Sequence, residues 1–452
     1  MCYTQNIQIV NQHKMEIKMR RLTPIRKAMF AFAVVMGCVM FMTGFLDRTP
    51  PPAPDQFKCA ENGGVDPFTQ ERFDPGSIDR LNAKARLKII EFTDEGELVD
   101  RCQWSDVIYE VRGTPRESKL QRKTASERDL PKERTAKLVV MYVHGWKHNA
   151  DIHDEDLSDF KDLIDQLNKL EAPRVKPRDV VGIYIAWPGK TLNIPMMDNL
   201  SFWGRKGGAD RVTAAGNISK LVSSIKGVSC QQGDPNDFIV GIGHSFGARI
   251  LYTAVAPLLI SELAMKHPGD QFNSYDNVTG VIDLTVLLNP AFEASRYTAL
   301  AASRRNKEVF SASQQPLLLT VATSNDLATR LAFPIGQIMG TRWRERERTT
   351  LGNYQPYRTH ELSRRSVQAG PIAGFWYDSF CQSGICLEKK DAISSYPFVV
   401  ASTDATVLYG HNGIWKEGFI SWLANFIEIS SEKRLVDKNS GTGCLNRQGK
   451  IE

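Results

Sequence analysis

From Lys137 onward two periodicities alternate along the chain, and this alternation limits the possible folds more than any other feature. LVVMYV (138–143) is an unbroken apolar run of strand length. Such a run fits a strand covered on both faces. A helical spacing follows at Leu157, Phe160, Leu163, Ile164, Leu167 and Leu170, with Asp154 placed to cap the helix. VVGIYIAW (180–187), FIVGIG (238–243), VIDLTVLL (281–288), LLLTVAT (317–323) and PFVVAS (397–402) continue the strand series. A helix near 210–226 carries Val212, Ala215, Ile218, Leu221, Val222 and Ile225 on one face, and another helix starts at Phe246. The rhythm predicts an α/β fold: a mostly parallel sheet with helices on both faces. Sites in such sheets form beyond the carboxyl ends of the strands.

The chain before Lys137 reads differently. LKIIEF (87–92) and VIYEV (107–111) predict two short strands, a hairpin or a sheet edge, followed by a charged loop to 136. Ala28–Leu46 is an apolar stretch of nineteen residues without a charge. As a helix it would reach ~28 Å, close to the hydrocarbon thickness of a bilayer. Six basic residues precede it, so its N-terminal side is expected in the cytoplasm and the body across the membrane, in the periplasm if the cell has two membranes. An uncleaved single-pass anchor is the preferred reading. A lipoprotein signal ending at Cys38 and a cleaved secretory signal are the alternatives. The expected organisation is a basic segment 1–27, an anchor or signal 28–46, a proline-rich linker 47–60, strands and a charged loop 61–136, a catalytic domain 137–430 with an insertion at about 327–395, and a polar tail 431–452.

Charge narrows the partners. The formal net charge is +6, but residues 1–48 hold seven basic and two acidic groups. The remainder carries 50 basic and 49 acidic residues, so no basic face is expected on the body and no nucleic-acid partner. Six cysteines lie past the anchor: Cys59, Cys102, Cys230, Cys381, Cys386 and Cys444. An even number on the exported side suits disulfides, with the pairing open.

Gly243-His244-Ser245-Phe246-Gly247 is a G-x-S-x-G motif. Alone it is weak; between a buried strand and a helix it reads as a nucleophile elbow, a strained turn that lifts the serine oxygen above the sheet. A serine hydroxyl needs a base to take its proton. His411, in the loop Leu408-Tyr409-Gly410-His411 after the last strand, is the first candidate, with His360 in reserve. The base needs a carboxylate to orient it. Asp326 follows the LLLTVAT strand; Glu293, after the preceding strand, is the alternative, and Asp404 sits on the wrong connection.

Tyr142-Val143-His144-Gly145-Trp146 ends the first core strand. With this segment, the elbow and the order Ser245, Asp326, His411, the chain resembles the α/β-hydrolase superfamily over roughly residues 137–425, especially bacterial esterase- and lipase-like members. The resemblance implies an α/β-hydrolase fold, no cofactor, and an oxyanion hole made by the backbone N–H groups of Trp146 and Phe246. His144, His148, Asp151, His153 and Asp154 are crowded, but their spacing fits no zinc signature, so no metal is expected. Residues 190–209 are candidates for a substrate wall. Phe375, Trp376, Tyr377 and Phe380 are read first as the insertion's own core and second as a lipid-facing lid, and Arg342–Arg348 as a solvated face.

The expected activity is a membrane-anchored serine hydrolase cleaving a small-molecule or lipid ester through an acyl-enzyme. The alternative is a catalytically silent scaffold that binds envelope proteins or lipids.

Overall fold

The computed structural model describes residues 86–113, 135–151, 153–189, 202–232, 234–266, 277–305, 310–311, 313–334, 337, 343–365, 375–390 and 396–436. The segment 28–46, the linker and residues 437–452 lie outside the described residues, and residues 431–436, expected in the polar tail, belong to the last helix. Two compact units divide the chain: 1–48 with 191–204, and 49–190 with 205–452. Everything below belongs to the second unit, apart from the opening of one helix.

Ten strands form one sheet among the described residues. They are β1 (Arg86–Glu91), β2 (Lys137–Val143), β3 (Asp179–Ala186), β4 (Phe238–His244), β5 (Leu284–Leu288), β6 (Leu318–Thr323), β7 (His360–Arg364), β8 (Ser379–Gln382), β9 (Ile385–Lys389) and β10 (Phe398–Thr403). Their order is β1-β3-β2-β4-β5-β6-β10-β7-β9-β8. Every pairing from β1 to β7 is parallel; only β9 runs against its neighbours. The unbroken apolar runs are explained by this topology. All seven residues of β2 and all seven of β4 are buried, because helices cover both faces.

The helices are α1 (Arg101–Arg112), α2 (Glu155–Glu171), α3 (Phe202–Ala214), α4 (Asn217–Gln232), α5 (Phe246–Lys266), α6 (Thr298–Arg305) and α7 (Glu417–Val436). Asp154 caps α2 by accepting from the Asp156 N–H at 3.0 Å. The α2 stripe Leu157, Phe160, Leu163, Ile164 and Leu167 packs with Leu138, Val140 and Tyr142 of β2 and with Trp422 and Phe426 of α7. Each such buried side chain contributes roughly 1.5–3 kcal/mol. The opposite face of the sheet meets α5: a Cβ at Gly241 of β4 would strike Leu251 of α5 at 3.2 Å. Among the described residues, α5 is the one helix long and apolar enough to cross a membrane, and its first three turns are buried in this layer.

Two sequence expectations fail locally. VIYEV (107–111) is not a strand but lies in α1. Asp100 caps that helix by accepting from the Cys102 N–H at 2.8 Å, and Gly113 ends it at φ 70°. The buried positions Val107, Glu110 and Val111 have helical spacing, which outweighs the β propensity of the valines. β1 therefore has no hairpin partner; it is the sheet edge, parallel to β3. The single helix expected near 210–226 is two, divided at Gly216 with φ 74°.

The insertion extends the sheet. β8 and β9 form a hairpin whose two-residue turn, Ser383-Gly384, has positive φ at both positions. A Cys381–Cys386 disulfide crosses its rungs. Cys102 and Cys230 are disulfide-bonded as well, so all four cysteines among the described residues are oxidised. Trp376 packs on Phe426 of α7 at 5.1 Å and Phe380 on Trp422 at 5.7 Å. Tyr377 is fully buried, and Phe375, Trp376 and Phe380 are half-buried against the core to which α7 contributes. The turn Glu345–Arg348 buries no residue, as a solvated face should.

Candidate active site

The loops that follow β4, β6 and β10 bring three side chains together at the carboxyl end of the sheet. Ser245 stands between the last residue of β4 and the first of α5, with φ 55°. A left-handed serine is strained by about 1–2 kcal/mol, so its surroundings must hold it there. They do so with two backbone bonds: its N–H donates to the Leu288 carbonyl and its carbonyl accepts from the Ala291 N–H, both at 3.0 Å. The motif glycines are steric necessities. A Cβ on Gly247 would lie 2.0 Å from the Val143 carbonyl oxygen, and one on Gly243 would lie 2.6 Å from the Ala248 Cα.

The Ser245 hydroxyl donates to His411 Nε2 at 2.7 Å, and His411 Nδ1–H donates to Asp326 Oδ2 at 2.7 Å. Asp326 is fully buried, and His411 keeps about 15% of its side chain exposed. The rest of the carboxylate is satisfied too. It accepts from the Ala328 and Thr329 N–H groups at 2.9 and 3.2 Å and from the Thr329 hydroxyl at 2.7 Å. Burial alone would raise the Asp326 pKa, but His411 and the Thr329 donors outweigh it and hold the carboxyl below its usual range. An ionised carboxylate, an imidazole in the tautomer with Nε2 unprotonated, and a hydroxyl aimed at that nitrogen can together generate an oxygen nucleophile.

The other candidates are placed elsewhere. His360 is buried on β7 against Thr359 and Asp378, at 2.8 and 3.5 Å. Asp404 accepts from the Thr406 hydroxyl and N–H. Glu293 enters a separate ion cluster: Arg249 at 2.7 Å, Lys206 at 2.6 Å and Arg296 at 3.1 Å. Burial works against its charge, yet Arg249 and Lys206 hold its carboxyl well below the normal range. Asp210 completes the cluster with a bidentate pair to Arg249 at 2.7 and 2.8 Å. Lys206 and Asp210 belong to α3, so that part of the expected substrate wall 190–209 is tied to the base of α5; residues 190–201 lie outside the described residues.

His144-Gly145-Trp146-Lys147 forms a strapped loop beside Ser245. A Cβ on Gly145 would stand 3.1 Å from the Ser245 Cβ, so the glycine permits a close approach. His144 donates from Nδ1 to the Gly145 carbonyl at 2.8 Å and accepts the Trp187 N–H on Nε2 at 3.1 Å. Full burial holds its pKa down to about 4, so this ring stays neutral. Trp187 Nε1–H donates back to the His144 carbonyl at 2.9 Å, and the Lys147 N–H donates to the Gly189 carbonyl at 2.9 Å. The histidines and aspartates that follow are turn and cap residues. His148 pairs with Asp154 at 2.9 Å, and Asp151 accepts from the His153 N–H. Among the described residues no group of three or more His, Cys, Asp and Glu side chains is arranged around a metal position.

Four supporting residues went unread in the sequence. Asn289, at φ 42°, donates to the His411 carbonyl at 2.8 Å and accepts from the Thr323 N–H at 3.0 Å. Asn325 accepts the Gly410 N–H at 3.0 Å, and the Thr323 hydroxyl donates to the Leu408 carbonyl at 2.8 Å. Thr329 holds Asp326. The one available signal was the short polar residues at the ends of β5 and β6, Asn289 and Thr323-Ser324-Asn325, a place where such side chains bond the neighbouring backbone.

Compared with known protein families and with curated proteins, the chain matches none of them.

Proposed function

We propose that the chain is a serine hydrolase of the α/β-hydrolase fold that cleaves carboxylic esters through an acyl-enzyme. The observation that carries this reading is the continuous Ser245–His411–Asp326 relay, with both links at 2.7 Å. Supporting it are the strained serine at a strand-to-helix turn and the chain order serine, acid, histidine. In this mechanism Ser245 attacks the ester carbonyl as His411 takes its proton. The protonated His411, stabilised by Asp326, gives that proton to the departing alkoxide. Water then attacks the acyl-enzyme with His411 again as base, and the acid product leaves with Ser245 restored. The backbone N–H groups of Trp146 and Phe246 are the proposed donors to the developing oxyanion; losing one such donor typically costs ~100- to 1000-fold in rate.

The same proposal places the body outside the cytoplasm, tethered by residues 28–46. All four described cysteines are disulfide-bonded, which suits an oxidising compartment.

Fluorophosphonate labelling in isolated membranes tests the activity. Wild type is expected to label, and Ser245→Ala and His411→Ala are expected not to. A folded, accessible wild-type protein that resists the probe would point to the silent scaffold instead.

A further inference from the structure

His411 is carried by a loop whose flanks are held by the Tyr409–Gly413 bridge, by Asn325 at the Gly410 N–H and by Thr323 at the Leu408 carbonyl. Gly410 precedes it at φ 68°, and a Cβ built there meets nothing within 4 Å. The carbonyl of His411 itself is met by two side chains that converge on one atom. His244 Nε2–H donates to the His411 carbonyl at 2.9 Å, and the Asn289 amide donates to the same oxygen at 2.8 Å. Asn289 also reaches the Gly410 carbonyl at 3.3 Å. His244 comes from the residue before the nucleophile, and Asn289 from the residue after β5. A carbonyl only accepts, so the His244 proton is on Nε2.

That choice leaves His244 Nδ1 buried with no hydrogen-bond partner. An unpaired buried acceptor destabilises the fold, a penalty that a leucine or phenylalanine at this place would not incur. Burial foremost, together with the neighbouring His411, keeps the His244 ring neutral. The two imidazoles lie 5.0 Å apart, centroid to centroid. Asn289 is held in its own left-handed conformation, one that asparagine and aspartate tolerate best among residues with a side chain.

We infer that His244 and Asn289 are positioning residues for the general base: a two-donor clamp on the His411 carbonyl that ties the base loop to the nucleophile turn. The clamp rests on the reading of Ser245 and His411 as a catalytic pair. Its function follows from geometry: the Ser245–His411 hydrogen bond is useful only while the ring stays in reach, and a displacement of about 1 Å can cost on the order of 100-fold in rate.

The test uses the full-length protein in membranes and measures the rate constant of fluorophosphonate labelling together with the thermal midpoint. His244→Phe keeps a ring and removes the donor. His244→Gln restores an N–H at a similar reach. Asn289→Asp keeps the left-handed tolerance and the acceptor for the Thr323 N–H, but its carboxylate cannot donate. His244→Phe and Asn289→Asp are each expected to slow labelling roughly ten- to a hundredfold, while His244→Gln recovers most of the rate. Wild-type rates in both folded His244→Phe and Asn289→Asp would overturn the clamp. A Gln variant as slow as the Phe variant would reduce His244 to a packing residue. Should His244→Phe not fold, Asn289→Asp decides alone: a slowed rate upholds the clamp and an unchanged one refutes it. A wild type that does not label, or a His411→Ala that labels normally, brings down the hydrolase reading and the clamp with it. Wild-type labelling that needs His411 but ignores both donors removes the clamp only.

Discussion

Ser245 and Arg249 stand about one turn apart at the start of α5, yet they anchor two buried polar clusters of opposite character. At Ser245 the carboxylate of Asp326 faces one imidazole, two backbone N–H groups and a hydroxyl. At Arg249 the carboxylate of Glu293 faces three permanent cations. A carboxylate already neutralised by arginine and lysine gains little from a histidine's extra charge, and Glu293 has no free oxygen to turn toward one. Asp326 has no other charged partner among its hydrogen bonds, so it can stabilise the cation that the proposed proton transfer would put on His411. The first cluster, on the proposed function, suits a charge that comes and goes. The second holds charges that stay, and it fastens α3, α5 and the loop after β5 to one another.

This contrast can be broken most sharply by exchanging charge for amide at each carboxylate. Asp326→Asn should slow labelling or ester turnover by about 10³-fold or more, because the orienting acceptor and the counter-charge are both lost; the rate constant measures it. Glu293→Gln should do the reverse. It leaves Arg249 with a single carboxylate in a buried site, so it should cost about 3 kcal/mol in denaturant unfolding while labelling of the folded protein stays within a few-fold. If Glu293→Gln abolished labelling at unchanged stability, the division of labour between the two clusters would be wrong. The Glu293 carboxyl is depressed in the folded state. Its contribution is therefore complete above the unfolded value of about 4.3 and is lost as pH falls below it. The stability gap between wild type and Glu293→Gln should accordingly be flat above about pH 5 and narrow in stronger acid.

A smaller effect separates the clusters from the neutral ring that straps the His144–Lys147 loop. His144 is held down to about 4 by burial. The unfolded chain takes up that proton near pH 6.5, and the folded protein does not until about pH 4. Stability from this residue is present above pH 6.5 and is lost through that window, roughly 2 kcal/mol between pH 7.5 and 5. Urea unfolding at the two pH values measures it, and His144→Asn should shrink the difference by that amount, leaving the share of His244, whose pKa burial also lowers. An unchanged slope in the variant would assign the acid sensitivity to another group.

Much of this was legible in the residue order. The apolar runs at 138–143, 180–187, 238–243, 317–323 and 397–402 are all strands, because a strand covered on both faces leaves no place for polar residues. The elbow was legible because only glycine fits at 243 and 247. VIYEV was misread because five residues of β propensity say little against a helix bracketed by Asp100 and Gly113. The split at Gly216 was missed because the apolar stripe is continuous on both sides of it.

The local sequence, then, determined most of the strands and helices, where the elbow serine stands, and which loops carry an acid and a histidine. It did so because periodicity, caps and tight-turn glycines act over a few residues. Residue order preferred Asp326 to Glu293, but which of the two meets His411, and the convergence of His244 and Asn289 on the His411 carbonyl, were decided by tertiary structure. Both acids follow strands, and both are buried. Apart from the neighbouring Arg296, they differ in whether the cations Arg249 and Lys206 or the histidine His411 arrive from elements about 40 to 90 residues away, and no local pattern records which of these the folded sheet brings beside them.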